Sequence, residues 1–448
     1  MAVKRVGIML PGLGIHGGIN IVLNWAVILA KSGYHIDIIL PPSACRPRIP
    51  FLSEDDSRLL HLISEFDARR HHYHAAIATL WATIAVMAEL KADHHAWFMQ
   101  AYEAQFLELN SPAQADFDEL AASLMNVIAI APWLQQHILR HYNFEPKQTF
   151  CVLNALDKTL WKPVPREPPR RGGRPVRFLV EGPVNDPRKN VAQTVRLLEG
   201  LGVPYMWVGS SVDRTLVGPN CFGVEQQVPY HQMPRVYGSA DVLVKASNSE
   251  GMFGPPLEMF ATGGTAAAWQ VQGAEEYMSD RYNSYLVPMN SWPRLTKAIL
   301  ELADSPDRVR VLQENALATA EAWPTWEDQA DQIVTTIESL VPFGRSSLVR
   351  QVAKNQYRGI LQTQTLADYS RAASAEADRA ERAEAQLAEL TGSRAMRLVR
   401  AIQRGRRIVA PDHSWRWVYI QRAGRLVWRA GRRIKRLAAA GRLPSLAR

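Results

Sequence analysis

The segment that most limits how this chain can fold lies between residues 241 and 269. An apolar run, Asp241-Val-Leu-Val-Lys245, leads into Ser249-Glu-Gly-Met-Phe-Gly-Pro-Pro-Leu-Glu-Met-Phe-Ala-Thr-Gly-Gly264, and a second apolar run follows from Thr265 to Trp269. Short apolar runs bounded by glycine and proline read as strands buried on both faces, and Pro256 to Thr262 reads as a helix. Strand, glycine-flanked loop, helix and strand make a βαβ unit, and parallel sheets of such units bind ligands beyond the carboxyl ends of their strands. Glu250 falls in the loop and Glu258 in the helix. Gly251 and Gly254 let the backbone approach a ligand, and amides at the helix start suit an anion. Considered alone, the two glutamates are equally a solvated loop residue and a helix-start carboxylate favoured by the macrodipole.

The same alternation runs along most of the chain. Residues 4–10 read as a strand, 19–32 as an amphipathic helix and 35–40 as a strand, with Gly12, Gly14, Gly17 and Gly18 in the first loop. This is neither a G-x-G-x-x-G fingerprint nor a P-loop, though glycines there allow a phosphate to approach the helix start. Residues 41–70 read as a polar stretch. Strand ends follow at 75–83 and 97–103, then a strand at 126–130 and a helix at 132–142. Residues 163–175 are dense in proline, glycine and arginine and read as an interdomain linker. A second series starts at Val176, with a helix from Val191 to Leu201, strands near 204–208, 221–224 and 283–287, and helices at 292–303, 306–322 and 326–340. In its first loop Arg188 and Lys189 stand just before the helix, where cations oppose the macrodipole. They are solvated surface charges or the partners of an anion, Arg188 forking two oxygens and Lys189 acting as a point charge.

With 448 residues, 47% of them hydrophobic, the chain has room for two α/β domains and an extension. Cys45, Cys151 and Cys221 are too few and too scattered for a disulfide framework or a zinc site, which fits a reducing compartment. The histidines at 71, 72, 74, 94 and 95 lack helix-borne ligand spacing, so no metal is assigned. The glycine-broken N-terminal apolar run reads as a first strand and not as a signal segment, and no run of 18 apolar residues is present. A cytoplasmic location is expected.

The formal net charge is +9, and residues 341–448 hold 23 basic against 7 acidic residues, so the tail carries the whole excess. Thr365 to Leu390 reads as helical. From Arg394 onward Trp415, Trp417, Tyr419 and Trp428 interleave with arginines, a pattern suited to an anionic membrane surface. Nucleic acid is the less favoured partner, and a merely solvated tail the third reading.

The run from Ser249 to Thr265 resembles the E-x7-E signature of retaining family 4 glycosyltransferases. Thr79-Leu-Trp-Ala-Thr83 and Gln100-Ala-Tyr-Glu103 resemble segments of its bacterial polysaccharide rhamnosyltransferase-like subgroup, with Ala101 where an aspartate is usual. The resemblance covers residues 1 to about 340. It implies an α/β GT-B fold, two Rossmann-like domains facing a cleft: residues 1–162 on the acceptor side and a nucleotide-sugar-binding domain at 176–341, on either side of the linker at 163–175, with the basic helical tail at 342–448 lying beyond the resemblance. It further implies transfer of a sugar from a nucleoside-diphosphate-sugar, with retention, to a cell-surface polysaccharide or lipid-linked glycan such as O-antigen or lipopolysaccharide. The enzyme would be metal-independent, without a cofactor, and peripheral at the inner face of the membrane. In this reading Glu258 binds the donor ribose and Glu250 lies near the transferred sugar. Gly17 and Gly18 flank the diphosphate, and Arg188, Lys189 and the amides of Met252, Phe253 and Gly254 stabilise its charge. No general base is assigned beyond the leaving phosphate, with His16 a minor candidate. A sugar-nucleotide epimerase or phosphorylase on this fold, and an idle sugar-nucleotide-binding or membrane- or nucleic-acid-binding scaffold, are the alternatives.

Overall fold

The computed structural model describes residues 3–342 apart from 15–16, 42–48, 50, 108–111, 122–124, 143 and 171. His16, Cys45 and the basic tail with its expected membrane-facing tryptophans therefore lie outside the described residues.

The first half builds β1 (Arg5–Met9), α1 (Gly17–Lys31), β2 (His35–Leu40), α2 (Glu54–Arg58), β3 (Leu60–Ser64), α3 (Glu65–Ala68), β4 (His72–Ala78), α4 (Ile84–Glu89), β5 (Lys91–Met99), α5 (Pro112–Ala121), β6 (Asn126–Ala129), α6 (Pro132–His141) and β7 (Thr149–Cys151). These strands form one parallel sheet in the order β3-β2-β1-β4-β5-β6-β7. The stretch at 41–70, read from sequence as polar loop, contains a strand and two short helices. Each helix is capped by a serine, Ser53 on the amide of Asp56 and Ser64 on that of Asp67. β3 is an edge strand whose pattern is mostly half-buried, so its apolar signal was weak.

The second half builds β8 (Phe178–Glu181), α7 (Val191–Leu201), β9 (Tyr205–Gly209), β10 (Cys221–Gln226), α8 (Met233–Tyr237), β11 (Val242–Lys245), α9 (Gly254–Ala261), β12 (Thr265–Gln270), β13 (Ser284–Pro288), α10 (Trp292–Asp304), α11 (Pro306–Ala322) and α12 (Trp326–Glu338). The sheet order is β10-β9-β8-β11-β12-β13, again parallel throughout. Strands buried on both faces, such as β8 and β11, are the near-continuous apolar runs that a parallel sheet needs. The α7 helix spans the expected residues because it starts after Asn190 and ends at Gly202, both in the left-handed region that closes helices.

Packing crosses between the halves twice. Leu156 and Trp161 sit in the second core, short of the expected boundary at 162. In return Trp326, Ile333, Ile337 and Leu340, on and after α12, join the first core. The two crossings touch: the Trp323 indole donates to the Asn154 carbonyl at 2.8 Å, and the Leu156 amide to the Pro324 carbonyl at 3.0 Å. The proline-rich segment at 163–175 is not a free tether. Arg166 donates to the carbonyls of Ala240 and Thr262, and Arg174 forks the buried Asp241 at 2.8 and 2.9 Å. Its arginines substitute for the apolar side chains that would normally anchor a segment.

Candidate active site

The order of the second sheet reverses between β8 and β11, which lie side by side in register from Phe178↔Val242 to Val180↔Val244. A doubly wound sheet opens a crevice at such a point, because the connections on either side run to opposite faces. The loops leaving the two strands are stitched together there. The Asn190 side chain donates to the Ala246 carbonyl at 2.8 Å and to Asn248 Oδ1 at 3.1 Å, and the Asn248 amide donates to the Arg188 carbonyl at 2.8 Å.

This stitching brings Lys189 and Glu250 together: Lys189 Nζ donates to Glu250 Oε1 at 2.6 Å. Glu250 is nearly buried, which by itself would raise its pKa. Lys189 and Lys245 outweigh burial and hold the carboxyl below its ordinary value. Glu258, on α9, has the opposite balance. Burial and the nearby Glu181 push it up to about 8, although the Tyr237 hydroxyl and Lys245 act against that shift. The two glutamates of the signature are thus shifted in opposite directions.

Sequence reasoning missed Lys245 and Glu181, the last residues of β11 and β8. Lys245 Nζ donates to the Glu181 carbonyl at 2.9 Å and to its carboxylate. Burial would lower the pKa of this lysine, but Glu181, Glu250 and Glu258 together raise it. A signal was present: a lysine ending an otherwise apolar strand has to meet a carboxylate or leave the core.

Several expected contributions look different in three dimensions. Arg188 forks Asp186, two residues away, at 2.8 Å through both Nε and Nη2, so any anion has to compete with that carboxylate. The helix-start amides are fewer than expected. Pro255 and Pro256 have no N–H, and the Gly254 amide already donates to the Met252 carbonyl at 2.9 Å, which leaves the amides of Met252 and Phe253. Gly251 is needed where the two halves meet, since a Cβ there would lie 1.7 Å from the Gln100 carbonyl oxygen. Gln100 also explains Gly18, where a Cβ would stand 2.8 Å from its Oε1, while Gly17 is open. Both glycines open α1, and Gly17 faces no close neighbour.

The two aromatic segments of the first half join each other. The Trp81 amide donates to Glu103 Oε2 at 2.8 Å, and burial pushes the Glu103 carboxyl up to about 8. Thr83 receives the amides of Thr79 and Leu80, a local cap. Trp133, at the start of α6, reaches across to donate to the Gly251 carbonyl. Among the described residues no group of three or more His, Cys, Asp or Glu side chains could hold a metal ion; His72 and His74 pair with Asp93 instead. No described helix is long and apolar enough to cross a membrane.

Comparison with known proteins agrees with this geometry. Residues 217–319, which include Lys245, Glu250 and Glu258, match the family described as glycosyl transferases group 1. No curated protein matches the sequence. Among solved structures, sucrose-phosphate synthase from Thermosynechococcus elongatus is similar with a TM-score of 0.62 at 17% identity, covering 75% of this chain and 98% of that one. Anabaena HepE, solved in complex with UDP, gives 0.57 at 15% identity over 75% and 100%. WaaG, a glycosyltransferase involved in lipopolysaccharide biosynthesis, gives 0.55 at 15% over 73% and 99%. Two parallel α/β sheets and these structural matches establish a GT-B fold, within which residues 217–319 match the glycosyl transferases group 1 family.

Proposed function

We propose that this protein transfers a sugar from a nucleoside-diphosphate-sugar to a glycan or lipid-linked glycan, with retention at the anomeric carbon. The observation that carries the reading is the Lys189–Glu250 pair after the switch-point strands of the second sheet, with Lys245 acting on both Glu250 and Glu258. HepE binds UDP on the same fold, which supports a nucleotide-sugar donor.

In this reading Glu258 takes the ribose hydroxyls, and Glu250 lies against the transferred sugar with its carboxylate kept ionised by two lysines. Lys189 and the amides of Met252 and Phe253 meet the diphosphate. As the bond from the anomeric carbon to the phosphate oxygen breaks, negative charge grows on that oxygen, and preorganised donors there lower the barrier. The acceptor hydroxyl attacks the face that the diphosphate leaves and gives its proton to the departing phosphate oxygen. The sugar ends on the acceptor and the nucleoside diphosphate is released. Lysines supply the positive charge, so the scheme needs no metal. Arg188 joins them only if the donor draws it away from Asp186. The basic, tryptophan-rich sequence after Arg394 supports work at an anionic membrane surface, where lipid-linked acceptors reside.

A thermal-shift screen against UDP, GDP, dTDP, ADP and CMP, run on wild type, Glu258→Ala and Lys189→Ala, tests the donor site. A ligand at about 100 times its dissociation constant adds roughly 2.7 kcal/mol, a readily measured shift. One nucleotide should stabilise wild type and neither variant. Silence from all five would refute the assignment.

A further inference from the structure

Glu181 has no part in the scheme above, and Lys245 only helps to keep Glu250 ionised, yet the two residues end the strands that meet at the switch point. Their exposures differ in a telling way. The Lys245 side chain is 2% exposed and the Glu181 side chain 22%, so the ammonium lies behind and the carboxylate in front. Lys245 uses the Glu181 carbonyl and Oε2, and no described residue donates to Oε1. Glu181 also acts electrostatically on Glu258, whose pKa it raises, so the two acidic groups are neighbours. Two like-charged groups side by side repel each other, and Lys245 offsets that repulsion while fixing where Glu181 points.

Such a pair is specialised for one kind of partner. A carboxylate oxygen facing a cleft is satisfied by O–H or N–H donors and repels phosphate. Two carboxyl groups together match two adjacent hydroxyls. A nucleoside-diphosphate-sugar offers vicinal diols in two places, on its ribose and on the transferred sugar.

We propose that Glu181, held in place by Lys245, is a specificity-determining residue of the donor site that reads a vicinal diol together with Glu258. This rests on the donor reading above. It makes the site selective for donors whose hydroxyls are both present, because a group built to accept a hydroxyl is left unpaired when that hydroxyl is missing.

Calorimetric titration of the full chain separates the sources. The ligands are UDP, 2′-deoxy-UDP and UDP-glucose, with GDP, 2′-deoxy-GDP and GDP-mannose as the guanine series. The proteins are wild type, Glu181→Gln and Glu181→Ser, both of which keep Lys245 beside Glu250, and a melting temperature for each shows that it folds. If the diol is the ribose, wild type prefers the ribonucleotide over its 2′-deoxy form by roughly ten- to a hundredfold, the worth of a charge-assisted hydrogen bond. Both variants then lose that preference while their affinity for the deoxy form is unchanged. If the diol is on the transferred sugar, both variants bind the nucleotide-sugar more weakly and the plain and deoxy nucleotides as before. Equal losses for all three ligands, or no loss for any, would overturn the proposal and leave the donor reading intact. Failure of wild type to bind either series would remove both.

Discussion

Trp133 donates its indole N–H to the Gly251 carbonyl at 2.6 Å, joining the start of α6 in the first half to the residue after Glu250 in the second. Gly273 makes room for the ring, since a Cβ there would lie 2.9 Å from Trp133 Nε1. The Glu250 loop is therefore held partly from the opposite wall of the cleft. Replacing Trp133 with Phe keeps an aromatic ring and removes the bond, worth about 1 kcal/mol net. The expected result is a roughly fivefold weaker nucleotide affinity by calorimetry in a protein that still folds. Unchanged affinity would show that this contact does not act on the site.

Lys189 is expected to matter more than Arg188. Lys189→Met removes the direct partner of a nearly buried carboxylate, whereas Arg188→Met frees Asp186 beside the partly exposed end of a turn. Breaking a buried pair by removing one partner costs about 3–5 kcal/mol where burial is complete. Lys189→Met should lower nucleotide affinity at least tenfold and depress the melting temperature, while Arg188→Met should do less of both. Thermal shift with and without nucleotide checks the order, and a reversal would move the diphosphate toward Arg188.

The pH dependence of stability should reveal Glu258. Its carboxyl has an ordinary value of 4.5 and is pushed up to about 8 in the fold. Between those values the folded protein binds a proton that the unfolded chain does not, so this group's contribution falls as pH rises and is lost once pH passes 8. Glu258→Gln cannot ionise. Its melting temperature should match wild type near pH 4 and exceed it at pH 9. Scanning calorimetry at both pH values measures this, and equal destabilisation at both would contradict the assigned environment.

Arg174 tests the anchoring of the proline-rich segment. Asp241 is fully buried and receives both arginine N–H groups and the amide of Arg177. Arg174→Met leaves that carboxylate without its charge partner and should destabilise the second half by about 3–5 kcal/mol. Denaturant unfolding monitors it, and adding Asp241→Asn should recover a large part of the loss.

Local pattern reached a good part of this molecule. The helix from Val191 to Leu201 and the strand from His35 to Leu40 stand where periodicity and glycine placed them. The E-x7-E run follows β11 at the switch point of the second sheet because a strand, loop and helix in that order have one natural place in a parallel sheet. β3 and β7 escaped notice because edge strands are short and only partly apolar. Glycines at 18 and 251 were expected to admit a ligand; what lies against both is Gln100, just after β5 and far off in the chain.

The sequence by itself determined the alternating α/β architecture and the two sheets, and it singled out Lys189, Glu250 and Glu258 as a candidate site. Tertiary structure alone decided their partners. Lys245 meets Glu181 across 64 residues, Lys189 meets Glu250 across 61, and Trp133 meets Gly251 across 118. Hydrophobic period reports which face of an element is buried and is read within a few turns of chain. Strand order and the crossing of α12 determine what that face is buried against, and no local window contains them.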